Sequence, residues 1–192
     1  MKSLTALTSI MPVNPMTRWT KILLLPLVCL SLLSSCSQSV EDYQSTTPDF
    51  TLEQFFDGNV KAWGLVTNFS DDFVRRFTVD IEASWEGNKG VLDEYFLYDD
   101  GEKQFRRWEI ERINETTYQG RADDIIGTAT GERAGAYIRW QYKMKLKVDG
   151  SEYDVTFDDQ MILIDDNHMM NIAKIKKLGV TVAKVTLFFE KL

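Results

Sequence analysis

The chain has 192 residues, enough for one domain with a sizeable core. It carries 22 Lys+Arg against 29 Asp+Glu, a net charge of −7, which argues against nucleic acid as a partner because phosphates need a basic face. A single histidine, His168, excludes a multi-histidine metal site.

Residues 1–35 carry Lys2, Arg18 and Lys21 and no acidic residue, and from Lys21 the run KILLLPLVCLSLL is apolar apart from Pro26 and Ser31. A basic start, an apolar run of about a dozen residues and small residues beyond it predict a secretory signal over 1–35. The run falls short of the ~20 residues of a transmembrane helix. Met1 and Met16 are alternative starts, since MTRWTKILLL is by itself a compact signal opening.

Leu33-Ser34-Ser35-Cys36 resembles the bacterial lipobox. That resemblance implies a diacylglyceryl thioether on Cys36, cleavage after Ser35 and acylation of the new N-terminus. Cys29 leaves with the signal, so neither an internal disulfide nor a catalytic thiol is expected. Ser37 rather than Asp follows the cysteine, which by resemblance to the sorting rules of two-membrane bacteria implies the periplasmic face of the outer membrane. Loss of 1–35 removes three positive charges and moves the net charge from −7 to −10. The membrane is then a partner through covalent lipid, not through a basic patch.

Residues 36–50 are polar (SQSVEDYQSTTPDF after the cysteine) and predict a flexible tether. TLEQFFDG (51–58) predicts a short helix, with Thr51 and Gln54 at capping-box spacing and Gly58 as its stop. From there to 192, a single β domain is expected, because apolar residues alternate with period two between turn dipeptides. FVRRFTVDIEASWEG (73–87) puts Phe73, Arg75, Phe77, Val79, Ile81, Ala83 and Trp85 on one face. In VLDEYFLYDDGEKQFRRWEI (91–110), a three-residue loop ending at Gly101 pairs Tyr98 with Glu102, Phe96 with Gln104, Glu94 with Arg106 and Leu92 with Trp108. In YKMKLKVDGSEYDVTF (142–157), a two-residue Asp149-Gly150 turn pairs Leu146 with Tyr153, Met144 with Val155 and Tyr142 with Phe157. The other face then pairs Lys147 with Glu152 and Lys145 with Asp154, and a slip of one residue would mix the faces. Further strands are expected near 60–68, 116–121, 124–130, 168–177 and 180–190. About nine meandering strands, eight to ten, with one apolar face must stack or close. Short connections favour an all-β antiparallel up-and-down barrel, apolar inside.

TLEQFFDGNVKAWGL (51–65), VRRFTVDIEASWEGNKGVLDEYFLYDDGE (74–102), VDGSEYDVTFDD (148–159) and GVTVAKVTLFF (179–189) resemble the domain of unknown function 3833 family, lipoproteins of Gram-negative bacteria. The resemblance spans nearly the whole chain after the signal. It implies a lipocalin-like (calycin-type) barrel and brings no established activity, catalytic residues or cofactor. Two positions depart from the family's pattern: Gln160 stands where an aromatic often follows FDD, and Ile172 where an arginine often follows the asparagine.

Charged residues on the expected inner face are the candidates for chemistry. Glu94 opposes Arg106, Asp159 opposes Trp140, and Arg75 lies with Phe73 and Phe77. Such charges are rarely buried unpaired, so structural ion pairs are one expectation. The other is that Arg75 or Arg106 holds the head group of an acyl ligand, with Trp85, Trp108, Trp140, Tyr142 and Phe157 along its tail. DDGE (99–102) and DDNH (165–168) lack the spaced ligand ladder of a calcium loop, so no metal site is assigned. The expected function is that of a non-enzymatic envelope lipoprotein binding a lipophilic molecule. A packed scaffold for an unidentified protein partner, an enzyme using Glu94 and Asp159, and a transmembrane barrel are the alternatives.

Overall fold

Where about nine alternating strands are expected, the computed structural model, which describes residues 39–148 and 150–192, has ten. They are β1 (Gly58–Asn68), β2 (Phe73–Glu86), β3 (Lys89–Tyr98), β4 (Lys103–Arg112), β5 (Thr117–Arg121), β6 (Ile125–Ala134), β7 (Tyr137–Val148), β8 (Ser151–Leu163), β9 (His168–Lys177) and β10 (Val180–Lys191). Each strand pairs antiparallel with the next, and β1 pairs with β10, closing the barrel. Closure satisfies every edge, which an open meander of this length would leave exposed. Along β2, Phe77, Val79 and Ile81 are buried inside while Asp80 and Glu82 face water. Outside, Lys61 pairs with Asp80 at 2.7 Å, an arrangement suited to water and not to the apolar belt of a membrane-spanning barrel.

Turn chemistry sets the registers as the sequence predicts. Gly101 has φ +88° and the Tyr98 N–H donates to the Glu102 carbonyl at 3.0 Å. Val148 pairs with Ser151, Tyr142 with Phe157 and Trp140 with Asp159. Asp149 lies outside the described residues, but its neighbour Gly150 has the positive φ, +78°, that this turn requires.

One end of the barrel is plugged. The helix expected over 51–58 is a single turn, α1 (Leu52–Phe55), with the Thr51 hydroxyl accepting from the Gln54 N–H at 3.3 Å. Gly58 does not end it; at φ +101° it opens β1. Leu52, Phe55 and Phe56 are drawn into the barrel end, and their burial leaves no room for a second turn.

The stretch expected to be a tether is a correction. Cys36 and residues 37–38 lie outside the described residues, but the chain is docked from Ser39 onward and forms one unit with the barrel. A 3₁₀ turn (Val40–Tyr43) buries Val40, and Tyr43 stacks on Tyr137 with centroids 4.1 Å apart. The Phe50 N–H donates to the Gly135 carbonyl at 2.8 Å, and Phe50 is 0% exposed. The polar composition concealed three apolar residues, Val40, Tyr43 and Phe50, spaced to reach the barrel.

Candidate functional site

Below the plane of the β3–β4 and β7–β8 turns, the barrel axis is crossed by a polar layer. Arg106 Nε and Nη2 donate to Asp124 Oδ2 at 2.9 and 2.7 Å. Glu94 is the cross-strand neighbour of Arg106, as expected, but stands off at 3.9 Å. The main partner of Arg106 is thus Asp124, which sits in the turn before β6. Asp124 continues the inward alternation of Tyr118, Gly120 and Ala122 past the end of β5, a signal missed in the sequence. Burial works against the Arg106 charge, yet Tyr142, Glu94 and Asp124 hold it protonated beyond an ordinary guanidinium.

Opposite stand Asp159 on β8 and Asn171 on β9, 8% and 6% exposed. Asn171 hydrogen-bonds Asp159, and one oxygen of each, Asp159 Oδ1 and Asn171 Oδ1, is buried without a partner; so is Asp124 Oδ1. Burial pushes the Asp159 carboxyl up to about 7, against the pull of Arg106 and the Asn171 bond. Burial likewise pushes Glu94 up to about 7, with Arg106 and the hydrogen bond from Trp108 opposing. Burial, reinforced by Asp159, drives the Tyr142 phenol well above its usual range. Asn171 was missed in the sequence, although its spacing with Met169, Ala173 and Ile175 places it on the inner face.

The predicted aromatic lining is assembled around this layer. Tyr142 stacks on Phe157 at 5.0 Å, and Trp108 meets Tyr142 and Trp140 edge-on at 5.3 and 5.7 Å. The Trp140 ring packs against one glycine from each of two strands: a Cβ on Gly120 of β5 would come within 2.6 Å of it, and one on Gly131 of β6 would also collide with it. Towards the plugged end the interior is closed by Val60, Ile81, Leu92, Ile110, Tyr118, Ile138 and Met169, all buried. Trp85 lies here against Gly90, with its Nε1 unpartnered. Towards the other end, Val66, Phe96, Tyr98, Leu146 and Ala183 stay half-buried, and the Glu94 and Arg106 side chains keep 16% and 14% of their surface accessible. The upper interior is therefore less closely covered than the packed lower one.

Arg75 does not reach the layer. Its guanidinium lies 3.6 Å over the Tyr98 ring and bonds Asp100 at 3.1 Å and Glu102 at 2.9 Å, at the mouth. Phe73, expected beside it on the inner face, is 61% exposed, because the β1–β2 register shifts at Val66/Thr67 and breaks the alternation. DDNH forms a turn in which Asp165 accepts from the Asn167 and His168 N–H groups, and His168 stacks on Phe188. Two further polar knots were not foreseen. On the outer wall Asp158, 4% exposed, accepts from Arg139 at 2.7 Å, Lys176 at 2.6 Å and Gln141 at 3.2 Å. At the plug, the Tyr118 hydroxyl donates to Glu53 at 2.7 Å, and Arg112 donates to the other Glu53 oxygen.

Residues 30–191 match the family described as "Protein of unknown function (DUF3833)". The chain belongs to that family. No curated protein matches this DUF3833 chain. Among solved structures, the S-type phycobiliprotein lyase CPES from Guillardia theta is similar, with a TM-score of 0.53 and 9% identity over 80% of this chain and 96% of that one. The likeness is one of fold, and it bears out the lipocalin-like barrel. It also corrects the expectation that the DUF3833 chain is not an enzyme. That expectation rested on the lack of a catalytic motif, whereas a protein named as a lyase shares this barrel at an identity too low for common motifs to show.

Proposed function

We propose that this DUF3833 protein is a lipid-anchored envelope protein whose barrel takes a lipophilic small molecule through its open end. The observation that carries this is the partial cover of the upper interior, which we read as a vestibule: half-buried Phe96, Tyr98 and Leu146 stand between the mouth and a charged layer whose Glu94 and Arg106 keep some exposure. A barrel of this size holds one small ligand when its interior is not filled, and apolar walls with a few convergent polar groups are the usual form of such sites. Trp108, Trp140, Tyr142 and Phe157 would lie at the ligand's deep end. The anchor is Cys36, on the lipobox-like residues before it, and Ser37 directs the protein to the outer membrane.

Uptake of N-phenylnaphthylamine by purified protein tests the vestibule. Bright, saturable fluorescence is expected, and Leu146→Trp, which fills the passage, should reduce it at least tenfold. Absence of uptake would leave a packed scaffold, whose docking face would be the exposed Tyr95, Leu97 and Phe105 on the outer wall of β3 and β4. Mass spectrometry of lipid extracted from protein purified without detergent would identify a bound ligand and any chemical change made to it. Labelled palmitate should mark the wild type and not Cys36→Ala; label on the variant would refute the anchor. Ser37→Asp should move the protein to the inner-membrane fraction.

A further inference from the structure

We propose that the polar end of the ligand is a protonated amine, seated on Asp159 and Asn171, and not the carboxylate of an acyl chain. The proposal rests on the vestibule described above and adds the chemical class of what enters it.

The charged layer is built to receive hydrogen-bond donors. One guanidinium, Arg106, faces three carboxyl groups, Glu94, Asp124 and Asp159, with the Tyr142 phenol beside them. Arg106 is already committed: two of its N–H groups are spent on Asp124 and its remaining face looks to Glu94. An incoming carboxylate would find no free cation, Asp124 already bound to Arg106, and two carboxyl groups that ionise near pH 7. The vacant positions are all acceptors. Asp159 Oδ1, Asn171 Oδ1 and Asp124 Oδ1 are buried with nothing donating to them, and the first two belong to side chains more than nine-tenths buried on the inner faces of β8 and β9. Buried acceptors left unpaired are uncommon in native proteins and call for a partner. A primary ammonium offers three N–H donors and a positive charge, which matches three buried acceptors among carboxyl groups.

Arrival of a cation would also favour the ionised forms of Asp159 and Glu94, both held near neutrality without it. The groups facing Asp159 are Arg106, Glu94, Tyr142 and Asn171; Asp158, its neighbour in sequence, adds a further negative charge. Ammonium binding should therefore strengthen as pH rises from 6 to 8, where an acyl ligand would weaken.

The experiment loads the protein with N-phenylnaphthylamine and displaces it with three molecules of equal tail: dodecylamine, dodecanol and dodecanoate. Dodecylamine should displace the probe at a concentration at least tenfold below that of dodecanoate, with dodecanol between. Asp159→Asn, which is isosteric and removes a buried charge, should keep probe binding and erase the preference. Dodecanoate equal to or better than dodecylamine, or a preference unchanged in Asp159→Asn, would overturn the amine assignment while the vestibule stood. A wild type that takes up no probe would overturn the vestibule and the amine assignment with it. Should Asp159→Asn fail to fold, Asn171→Leu, which removes the other unpaired acceptor, is expected to cut the preference as well; no change there would count against the assignment.

Discussion

Within the barrel, single charged residues are set against burial, and the balance is readable in pH. Glu94 is raised from 4.5 to about 7 and Asp159 from 3.8 to about 7. A carboxyl with a raised folded-state pKa keeps its proton in the folded protein after the unfolded chain has lost it. Stability from these two groups is full below about pH 4 and is lost as pH rises to about 7. Asp158 works in the opposite sense. Burial opposes its charge, but Arg139 and Lys176 outweigh it and bring the carboxyl to about 2, so its contribution is present above 3.8 and is lost as pH falls towards 2. Chemical-denaturation midpoints are therefore expected to peak near pH 4–5, and Glu94→Gln with Asp159→Asn should flatten the decline towards pH 8. A wild-type profile still rising between pH 5 and 7 would contradict the burial of these groups. Arg106→Met should cost ~3–5 kcal/mol at pH 8, since it strands partly buried carboxylates. The cost should shrink at pH 5.5, where Glu94 and Asp159 are protonated. Equal costs at the two pH values would show that Arg106 acts only through Asp124.

Strands here succeed or fail on spacing between side chains as much as on alternation. β7 carries Trp140 into the barrel only because Gly131 of β6 and Gly120 of β5 leave a slot for its ring. Gly131→Ala is expected to destabilise the barrel by ~1–3 kcal/mol, the usual cost of an overpacked core, with a loss of near-UV dichroism from the displaced indole. Ala tolerated at that position without change would mean that the ring has somewhere else to go. The β7–β8 hairpin depends on backbone conformation instead: Gly150→Val places a β-branched residue at φ +78°, and a fall in melting temperature is expected without a change in near-UV dichroism.

The described residues form a barrel with one sealed end, and the seal comes from outside the sheet. Phe50, Leu52, Phe55 and Phe56 fill the opening, with Phe50 fixed to the β6–β7 turn through Gly135. Phe50→Ala should cost ~3–5 kcal/mol, as other large-to-small changes at fully buried aromatics do. The same substitution should leave N-phenylnaphthylamine uptake at the far end intact in the folded fraction. Loss of uptake in folded protein would show that the two ends are coupled.

The amino-acid sequence alone determined the strands, the turn residues and the pairings across the hairpins. Each of these follows from local pattern: period two for the faces, Gly101 and Gly150 for the turns, and apolar–apolar and cation–anion partners for the register. It also brought Glu94 opposite Arg106 and Asp159 opposite Trp140, because register fixes neighbours across a ladder. Only the tertiary structure decided who holds Arg106: the β4–β5 register, which pairs Glu109 with Arg121, runs on past β5 to bring Asp124 beside it, and no turn dipeptide between those strands announces that register. Arg75 stays at the mouth, above the layer, because it stands only two residues into β2, where Tyr98, Asp100 and Glu102 receive it. Closure turned part of the expected tether into a plug, because three scattered apolar residues show their value only once a barrel end stands open to receive them.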